Sequence, residues 1–574
     1  MGQTVALCGW VHSYRDHGGL LFIDLRDREG LVQAVADPKN ETVFALVQTL
    51  RSEFVVKISG VVRLRPSGTE NKNLPTGEVE VDAQAIEILN TAAALPFEIS
   101  EFNESSEEVR LQYRYLDLRR PSLRKNLILR HKITQAARAL LDKEGFLEIE
   151  TPFLTKSTPE GARDFLVASR LQPGSFYALP QSPQLFKQIL MVGGLDRYYQ
   201  VARCFRDEDL RSDRQPEFTQ IDLEMSFVTE EDVMAVTEQM VAAAMKVATG
   251  LDCPLPIPRI KYRDAMNRYG SDKPDLRYGL EIVDLSEELK DCGFQVFAGA
   301  LKEGGVVKAI RVPEGAKFTR SEIDKLTEFV KKLGAKGLAW IKFTESGPES
   351  NLVKYFSKEE LEKIASCTGS QAGDLVLFGA GPWKQVVTIL GSLRCELARN
   401  LKLAPVPHLF KLVWVTDFPL LEWDVTEKRW NAMHHPFTAP SAEDVLLLET
   451  DPGKVRAHAY DIVLNGVELG GGSIRIHQKQ VQEKMFEALG ISPESAQEKF
   501  GFLLRALEFG APPHGGIALG LDRLVAIFLG EESIRDTIAF PKTQKGSCPL
   551  SGSPSEVNLK QLDELHLTIK GIKK

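Results

Sequence analysis

No stretch of this chain approaches the roughly 20 consecutive apolar residues that cross a membrane as a helix. The first residues, MGQTVALCGW, have neither a basic start nor a long apolar core, so we expect no signal peptide there. Their abrupt entry into a strand-like pattern leads us to expect a short segment before them in the full protein. These features predict no membrane-spanning helix and favour a cytoplasmic location.

Cysteine is scarce and scattered, because the seven cysteines of the chain form no CxxC pair. This spacing favours neither a disulfide framework nor a structural zinc site. A reducing cytoplasm fits, and we expect no zinc.

An excess of positive charge is also lacking, since 71 basic and 79 acidic residues leave a formal net charge of −8. Overall acidity argues against a nonspecific polyanion binder but not against local basic patches. A specific RNA partner would have to be held by such patches and by base contacts. The length of 574 residues predicts about four domains of roughly 150 residues each.

Strong alternation of apolar and polar residues runs through residues 1–90. The pattern predicts five short strands, with a helix at 41–53 between the third and the fourth, which is typical of an OB-fold barrel. Phe22 and Gln33 lie on adjacent predicted strands. An aromatic ring there can stack on a base and a polar side chain can read a base edge, although a core aromatic and a solvated polar residue are the alternatives.

A dense run of charged residues opens the stretch FRDEDLRSDRQPEFTQIDLE, residues 205–224, and separates two strand-like stretches. Strands at 198–205 and 218–224 joined by this loop predict an antiparallel hairpin. It places Arg206 beside the loop and carboxylates on one face, which suits a ligand that bears phosphates and an ammonium. The alternative is a surface hairpin with solvated charges.

The stretch AYDIVLNGVELGGGSIRIH, residues 459–477, combines carboxylates with a glycine triplet. Asp461 and Glu468 offer hard oxygen ligands for Mg²⁺. The glycines would let a ligand approach the backbone closely, but no GK[ST] follows, so this is not a P-loop. His434 and His435 are adjacent, and adjacent histidines rarely face one metal ion.

The hairpin FRDE…PEFTQID resembles motif 2 of the class II aminoacyl-tRNA synthetases, in the aspartyl, bacterial-type form. The predicted helix, strand and proline at 121–152 resemble motif 1. The stretch HGGIALGLDRLVAIFLG, residues 514–530, resembles motif 3. Residues 280–405 mix strand-like and helical stretches and show no set of catalytic residues. This region resembles the bacterial insertion domain. Residues 251–275 look irregular.

The resemblance covers essentially the whole chain and implies a multidomain α+β protein, with an OB-fold β-barrel and an antiparallel-sheet catalytic domain that carries an inserted α+β domain. The expected domains are an OB-fold anticodon-binding domain at 1–92, a hinge or linker at 93–120, the first part of the class II catalytic domain at 121–279, the insertion at 280–405, the second catalytic part at 406–545 and a C-terminal extension at 546–574.

The resemblance implies that L-aspartate is activated with ATP and Mg²⁺ to aspartyl-adenylate and then transferred to the 3′ end of tRNA(Asp). It also implies a homodimer. His17 stands where nondiscriminating enzymes of this family often carry histidine, which favours charging of tRNA(Asn) as well. The rest of the anticodon site would be Phe22, Gln33 and Glu78.

The resemblance also implies site residues. The catalytic set is Arg206, Glu468 and Arg523. Aspartate would contact Glu160, Ser182, Gln184, Lys187, Arg206, Asp222, His434 and Arg475, with His435 as the alternative to His434. ATP would contact Arg206, Asp207, Glu208, Gln220, Glu468, Gly520, Leu521, Asp522 and Arg523, and Mg²⁺ would bind Asp461 and Glu468.

Asparaginyl- and lysyl-tRNA synthetases share the barrel and the motifs, but the insertion and the pair Lys187/Arg475 favour the aspartyl type. An asparagine synthetase of class II ancestry would lack the barrel. A catalytically inactive RNA-binding protein would not need Arg206, Glu468 and Arg523.

Overall fold

The computed structural model describes residues 1–102, 104–158, 161–404 and 409–570. The chain forms two compact units. The first comprises Met1–Lys125 with Pro549–Ser551, and the second comprises Asn126–Cys548 with Gly552–Lys574.

The first unit is built on a closed five-stranded barrel in which the strands follow the order β1-β2-β3-β5-β4. Its elements are β1 (Thr4–His17), β2 (Leu20–Arg26), β3 (Leu31–Ala36), α1 (Glu41–Thr49), β4 (Val55–Leu64) and β5 (Val79–Asn90). The predicted barrel, with its helix between the third and fourth strands, is confirmed. The helix ends at Thr49 rather than at residue 53, since Leu50 already has an extended backbone.

Two short helices follow the barrel, α2 (Glu107–Gln112) and α3 (Arg114–Asp117). They lie within the stretch 93–120 that we expected to be a hinge or linker. Asp117 is fully buried and pairs with Arg114 at 2.6 Å and with Arg120 at 2.5 Å. The long helix α4 (Pro121–Lys143) begins next.

The centre of the second unit is an eight-stranded sheet in the order β11-β17-β20-β21-β22-β10-β9-β6. Its strands are β6 (Leu147–Glu148), β9 (Arg197–Phe205), β10 (Glu217–Ser226), β11 (Arg259–Lys261), β17 (Leu412–Thr416), β20 (Ala459–Leu464), β21 (Val467–Ile474) and β22 (His514–Gly520). The edge strands β6 and β11 pair in parallel with their neighbours, and the other pairs are antiparallel.

Helices cover this sheet and bury its apolar residues. They are α5 (Gln184–Val192), α6 (Glu230–Thr249), α7 (Tyr262–Tyr269), α12 (Leu447–Thr450), α13 (Lys479–Ala488) and α15 (Leu521–Leu529). Helix α14 (Pro493–Leu507) packs against α5 and α13, and α16 (Leu559–Glu564) is the last helix of the described residues. Side chains of α4, α6 and α15 share one core with β10, β20 and β22. Two small hairpins accompany the sheet, β7 (Leu166–Ala168) with β8 (Phe176–Ala178) and β18 (Leu421–Asp424) with β19 (Arg429–Ala432). Residues 251–275 are not wholly irregular, because β11 and α7 lie there.

A second sheet of five strands, in the order β12-β13-β16-β14-β15, forms the region between α7 and β17. Its elements are β12 (Ile282–Asp284), α8 (Gln295–Lys302), β13 (Val306–Val312), α9 (Arg320–Lys332), β14 (Ala339–Thr344), β15 (Gly347–Glu349), α10 (Lys358–Thr368), β16 (Leu375–Gly381) and α11 (Trp383–Asn400). This sheet has its own buried apolar clusters on both faces. We call the region the insertion.

Across the described ranges of the chain, every helix is too short or too polar to cross a membrane.

Candidate active site

A cavity of about 420 Å³ opens over the eight-stranded sheet. Residues of β10, β21 and β22 line it, together with the first turns of α5 and α15 and the loop that joins β9 to β10. This volume is in the range of small-molecule sites, which are a few hundred cubic ångströms.

Four charged side chains form a buried cluster in the wall of this cavity, namely Lys187, Asp222, Glu224 and Arg475. The ammonium of Lys187 lies 2.5 Å from Asp222 and 3.1 Å from Glu224. Arg475 donates from Nε and a terminal nitrogen to the two oxygens of Glu224, at 2.9 Å and 3.1 Å. We call these four residues the charge cluster. Two cations balance two carboxylates, as buried charges require.

The two carboxylates of the charge cluster differ electrostatically. Burial raises the pKa of Glu224, but the guanidinium of Arg475 and the ammonium of Lys187 outweigh burial and hold that pKa at about 2. Burial dominates at Asp222, whose pKa lies above its ordinary value in spite of Lys187. Oδ2 of Asp222 is buried without a hydrogen-bond partner among the described residues. Asp222 therefore has a free acceptor at the cavity.

The adjacent histidines occupy different environments. Nε2 of His434 lies 3.2 Å from Asp461, and this carboxylate outweighs burial and raises the pKa of His434. His435 contacts Arg475 at 2.7 Å, and burial together with that cation lowers its pKa far below the ordinary value. Both rings line the cavity, so the structure brings both candidates to the site.

Asp461 and Glu468 both line the cavity, on β20 and β21. Burial raises the pKa of Asp461. Glu468 forms an ion pair with Lys273 at 2.6 Å, and this ammonium outweighs burial and lowers the pKa of Glu468. Two carboxylates at one cavity have the donor chemistry that Mg²⁺ prefers. The described residues nevertheless contain no group of three or more His, Cys, Asp or Glu side chains arranged to hold a metal ion.

Two arginines line the cavity, Arg206 after strand β9 and Arg523 on helix α15. The guanidinium of Arg206 lies 5.0 Å from the ring centre of Phe218, and it forms no ion pair or side-chain hydrogen bond within the described part of the chain. Arg523, on α15, donates to the backbone carbonyl of Glu468 at 2.7 Å and approaches Asp213 at 3.7 Å. Arg206 is thus a cation at the cavity that pairs with no anion among the described residues.

Neighbouring protein atoms leave no room for side chains at the three positions of the glycine triplet. A Cβ at Gly470 would come within 2.3 Å of the carbonyl oxygen of Ala518. At Gly471 it would lie 2.6 Å from Oδ1 of Asp461, and at Gly472 it would lie 2.4 Å from the carbonyl of Gly516. Close strand packing and the position of Asp461 therefore require glycine here, whatever a ligand requires.

Most residues predicted for aspartate, ATP and Mg²⁺ meet at this one cavity. Those that line it are Ser182, Gln184, Lys187, Arg206, Glu208, Gln220, Asp222, His434, Asp461, Glu468, Arg475, Gly520, Asp522 and Arg523. Asp207 and Leu521 do not line it, since Asp207 faces Arg163 at 3.5 Å and Leu521 is packed in the apolar core. Glu160 lies outside the described residues.

The residues predicted for the anticodon lie on the barrel. Gln33 is buried, donates to Glu80 at 2.9 Å and accepts from Arg15 at 2.8 Å. Phe22 is half-buried, with the guanidinium of Arg15 at 5.8 Å from its ring centre. His17, at the end of β1, and Glu78 are exposed.

Sequence reasoning missed several side chains that shape the site. Glu224 follows Asp222 by two residues on β10, so strand alternation could have placed it on the same face. Asp213 lies in the charged loop, where the sequence gives no way to tell which of several acidic residues faces the cavity. Lys273 gave no signal, because nothing in its neighbourhood predicts contact with Glu468 about 200 residues later.

Family models match both units of the chain. The model for tRNA synthetases class II (D, K and N) matches residues 106–544, and the model for the OB-fold nucleic acid binding domain matches residues 5–89. This chain belongs to the class II tRNA synthetases. The predicted fold class and family are confirmed.

Relatives within this family align over nearly the full length of the synthetase. The Aspartate--tRNA(Asp/Asn) ligase of Endomicrobium trichonymphae is 58% identical over 99% of this chain and 97% of its own length. The ligases of the same name from Anoxybacillus flavithermus and Aquifex aeolicus are 56% and 55% identical, over 100% and 99% of this chain and 97% and 96% of their own lengths.

Solved structures share the fold of this class II synthetase at low identity. The asparaginyl-tRNA synthetase from Pyrococcus horikoshii, complexed with asparaginyl-adenylate, superposes with a TM-score of 0.58 at 20% identity. The match covers 94% of this chain and 95% of that one. The likeness establishes the fold alone.

Proposed function

We propose that this synthetase is an aspartate–tRNA ligase, which activates L-aspartate with ATP and transfers it to the 3′ end of tRNA(Asp). The observation that carries the proposal is the charge cluster, which places two buried cations, Lys187 and Arg475, in the wall of a cavity over the sheet. The names of the full-length relatives support the same activity.

The charge cluster suits the two ends of aspartate. Oδ2 of Asp222, which has no hydrogen-bond partner among the described residues, would accept from the substrate ammonium, and Ser182 and Gln184 line the same cavity. The side-chain carboxylate would meet Lys187 and Arg475. Because Asp222 and Glu224 already balance these two cations, the substrate ammonium would add one uncompensated positive charge to the cluster. The side-chain carboxylate of aspartate would compensate that charge, whereas the neutral amide of asparagine would leave it buried, which disfavours asparagine.

The guanidinium of Arg206, which has no ion-pair partner in the part of the chain that the structure describes, suits the anionic reacting groups. The α-carboxylate of aspartate attacks the α-phosphate of ATP, forms the acyl–phosphate bond and expels pyrophosphate. Arg206 would neutralise charge that grows on the α-phosphate, and Arg523 would hold the adenine end with Glu208 and Gln220. Positioning and charge neutralisation then supply most of the rate, because no side chain needs to exchange a proton in this step.

Asp461 and Glu468 would hold Mg²⁺, since their carboxylates line the cavity and hard oxygen donors suit this ion. The ion, when bound, would neutralise the phosphates of ATP. His434 would orient Asp461 through its 3.2 Å contact.

The barrel would bind the anticodon, with Phe22 and Gln33 at its middle base and Glu78 near the third. We extend the proposal to tRNA(Asn), because His17 is exposed on the barrel and because the relatives are named for both tRNAs. The domain boundaries predicted above remain part of the proposal.

We further propose a cytoplasmic homodimer. The seven cysteines form no disulfide, which fits a reducing compartment. Leu147, Phe153 and Leu154 follow helix α4 and are each about half exposed, at 49%, 49% and 54%. Exposed apolar side chains so close together suit a partner surface. Sedimentation equilibrium of the full chain would show twice the chain mass if this is correct.

Pyrophosphate exchange tests the activation step. The chain is incubated with ATP, Mg²⁺ and labelled pyrophosphate, and either L-aspartate or L-asparagine is added. Label should enter ATP with aspartate and not with asparagine. Exchange that depends on asparagine, or no exchange with either amino acid, would overturn the proposal.

A further inference from the structure

The ten residues 270–279, GSDKPDLRYG, join helix α7 to the insertion. They contain neither helix nor strand. We call them the connector. One of its side chains reaches the cavity, and its backbone is held by a residue of the insertion.

Lys273 of the connector lines the cavity at the end proposed for ATP. Its ammonium lies 2.6 Å from Glu468, and its side chain remains 42% exposed. Arg523 contacts the backbone carbonyl of the same Glu468. Two cations, Lys273 and Arg523, therefore contact Glu468, and neither belongs to the charge cluster.

Lys273 would lose much of its attraction to Glu468 when ATP and its divalent cation bind. Glu468 is also proposed as a ligand of that cation, and a carboxylate that binds a divalent ion has less attraction left for an ammonium. The ATP phosphates would then attract Lys273, in addition to the carboxylates of Asp272 and Asp461, which also act on its ammonium. A lysine on a flexible stem is a common phosphate binder, because its ammonium acts as a mobile point charge.

The insertion fixes the connector through Arg394 of α11, which is 1% exposed. Its guanidinium donates to the backbone carbonyls of Asp275 and Tyr278 at 2.8 Å each, and to that of Gly279 at 3.1 Å. The guanidinium also lies 4.4 Å from the ring centre of Tyr278. A planar fork with several donors can hold three carbonyls at once, which an ammonium cannot do in the same geometry.

Close backbone contact fixes the start of the connector on the same helix. Gly270 has a φ of +68°, and a Cβ there would lie 2.2 Å from the carbonyl oxygen of Val387. A Cβ at Gly391 would lie 2.4 Å from the carbonyl oxygen of Gly270. Helix α11 and the connector therefore touch through two glycines, and a side chain at either would push them apart.

The connector also contacts the hairpin that carries Glu468. A Cβ at Gly466, in the turn between β20 and β21, would lie 3.1 Å from Cβ of Asp275. The carboxylate of Asp275 is held by Arg277 of the connector at 2.6 Å. A displacement of the connector would thus move Lys273 relative to Glu468.

We propose that Lys273 binds the polyphosphate of ATP, and that the insertion holds Lys273 in place through the contact of Arg394 with the connector. The proposal rests on the ATP site of the proposed function. It gives the insertion a role in nucleotide binding.

Calorimetric titration of the full chain with ATP and Mg²⁺, without amino acid, tests Lys273. For Lys273→Met we expect the dissociation constant of ATP to rise about tenfold, the usual loss for one charge-assisted hydrogen bond. Lys273→Arg should stay within about threefold of the wild type, since it keeps the charge. The control is Lys454→Met, which removes an exposed lysine that pairs with Asp451 at 2.8 Å, away from the cavity.

The steady-state counterpart separates nucleotide binding from a general loss of structure. In pyrophosphate exchange, Lys273→Met should raise the KM for ATP and leave the KM for aspartate within about twofold, because Lys187 and Arg475 are untouched. An ATP dissociation constant within twofold of the wild type would overturn the role of Lys273. Equal rises in both KM values would overturn it too.

Arg394→Lys tests the role of the insertion. We expect faster hydrogen exchange in peptides that cover 270–279 and weaker ATP binding, in the same direction as Lys273→Met. The double variant should bind ATP no more than about twofold more weakly than Lys273→Met alone, because both changes act through one side chain. Additive losses, or unchanged exchange in the connector, would overturn the link.

If Arg394→Lys does not fold, Gly391→Ala replaces it, since alanine suits a helix but must displace Gly270. Gly299→Ala in α8 is its control, because nothing lies within 4 Å of that Cβ. Wild-type exchange activity reports on the proposed function separately. ATP binding that weakens in Lys273→Met supports this inference even where aspartate is not the amino acid.

Discussion

The ammonium of Lys187 lies 2.5 Å from Oδ1 of Asp222, and each side chain is 1% exposed. The same ammonium contacts Glu224, which Arg475 holds from the other side. Removing one member leaves another buried and unpaired, which typically costs about 3–5 kcal/mol of stability. Function and stability are therefore coupled at this site, and mutational tests must separate them.

Arg475→Leu should lower the rate of aspartate-dependent pyrophosphate exchange at least about a hundredfold, while ATP still binds. It should also lower the melting temperature, because Glu224 loses its main partner. The double variant Arg475→Leu/Glu224→Gln should recover stability and remain inactive. Unchanged exchange in the single variant would contradict the assignment of Arg475, and recovered exchange in the double variant would do so too.

Glu224 should make stability depend on acid pH. Its pKa is about 2 in the folded chain against an ordinary value of 4.5. The unfolded chain thus binds the proton more tightly, so the contribution is fully present above pH 4.5 and is lost as pH falls towards 2. A shift of this size corresponds to about 3 kcal/mol.

The measurement is the difference in melting temperature between the wild type and Glu224→Gln at several pH values. The difference should be large at pH 7 and should shrink below pH 4.5. Glu287→Gln, at a side chain 88% exposed, is the control and should show little difference at any pH. A gap that stays constant down to pH 3 would show that Glu224 is not held ionised by the cluster.

Arg206→Ala should slow aspartate activation by about a hundredfold or more, because an electrostatic contact to the reacting phosphate is lost. The melting temperature should hardly change, since the guanidinium forms no ion pair in the described residues and surface-type changes stay within about 0.5 kcal/mol. Arg203→Ala is the matched control on strand β9, where Arg203 pairs with Glu217 at 2.7 Å and does not line the cavity. Equal losses of activity in both variants would contradict a specific role for Arg206.

His17→Ala should change the ratio of tRNA(Asn) to tRNA(Asp) charging and leave pyrophosphate exchange unchanged. His17 belongs to the barrel unit, whereas every residue that lines the cavity belongs to the other unit. Initial rates of aminoacylation with each purified tRNA measure the ratio. If the ratio is the same in wild type and variant, His17 takes no part in tRNA selection.

Local patterns predicted much of this fold. Alternation gave the strands of the barrel and the hairpin β9–β10, whose residues Phe205 and Glu217 face each other as the first pair of its register. Periodicity could not place the end of α1, because residues up to 53 still look helical while the backbone turns at Leu50. It also missed β11 and α7, which are short and lie in a proline-rich stretch.

The site was predicted less completely, for a physical reason. Motif residues such as Arg206 and Arg475 were placed by resemblance, and the structure brings most of them to one cavity. Lys273 and Glu468 are far apart in sequence, and only the tertiary fold joins them. Sequence also assigned the glycine triplet to ligand approach, whereas neighbouring strands already occupy the space that side chains there would need.

The most direct test of the central claim is aminoacylation of purified tRNA(Asp) and tRNA(Asn) with labelled L-aspartate, with labelled L-asparagine in parallel. Aspartate should be attached to both tRNAs, and asparagine should be attached to neither. Aspartate on tRNA(Asp) alone would show that tRNA(Asn) is not a substrate of this synthetase. Asparagine on either tRNA, or no aspartate on tRNA(Asp), would contradict the claim itself.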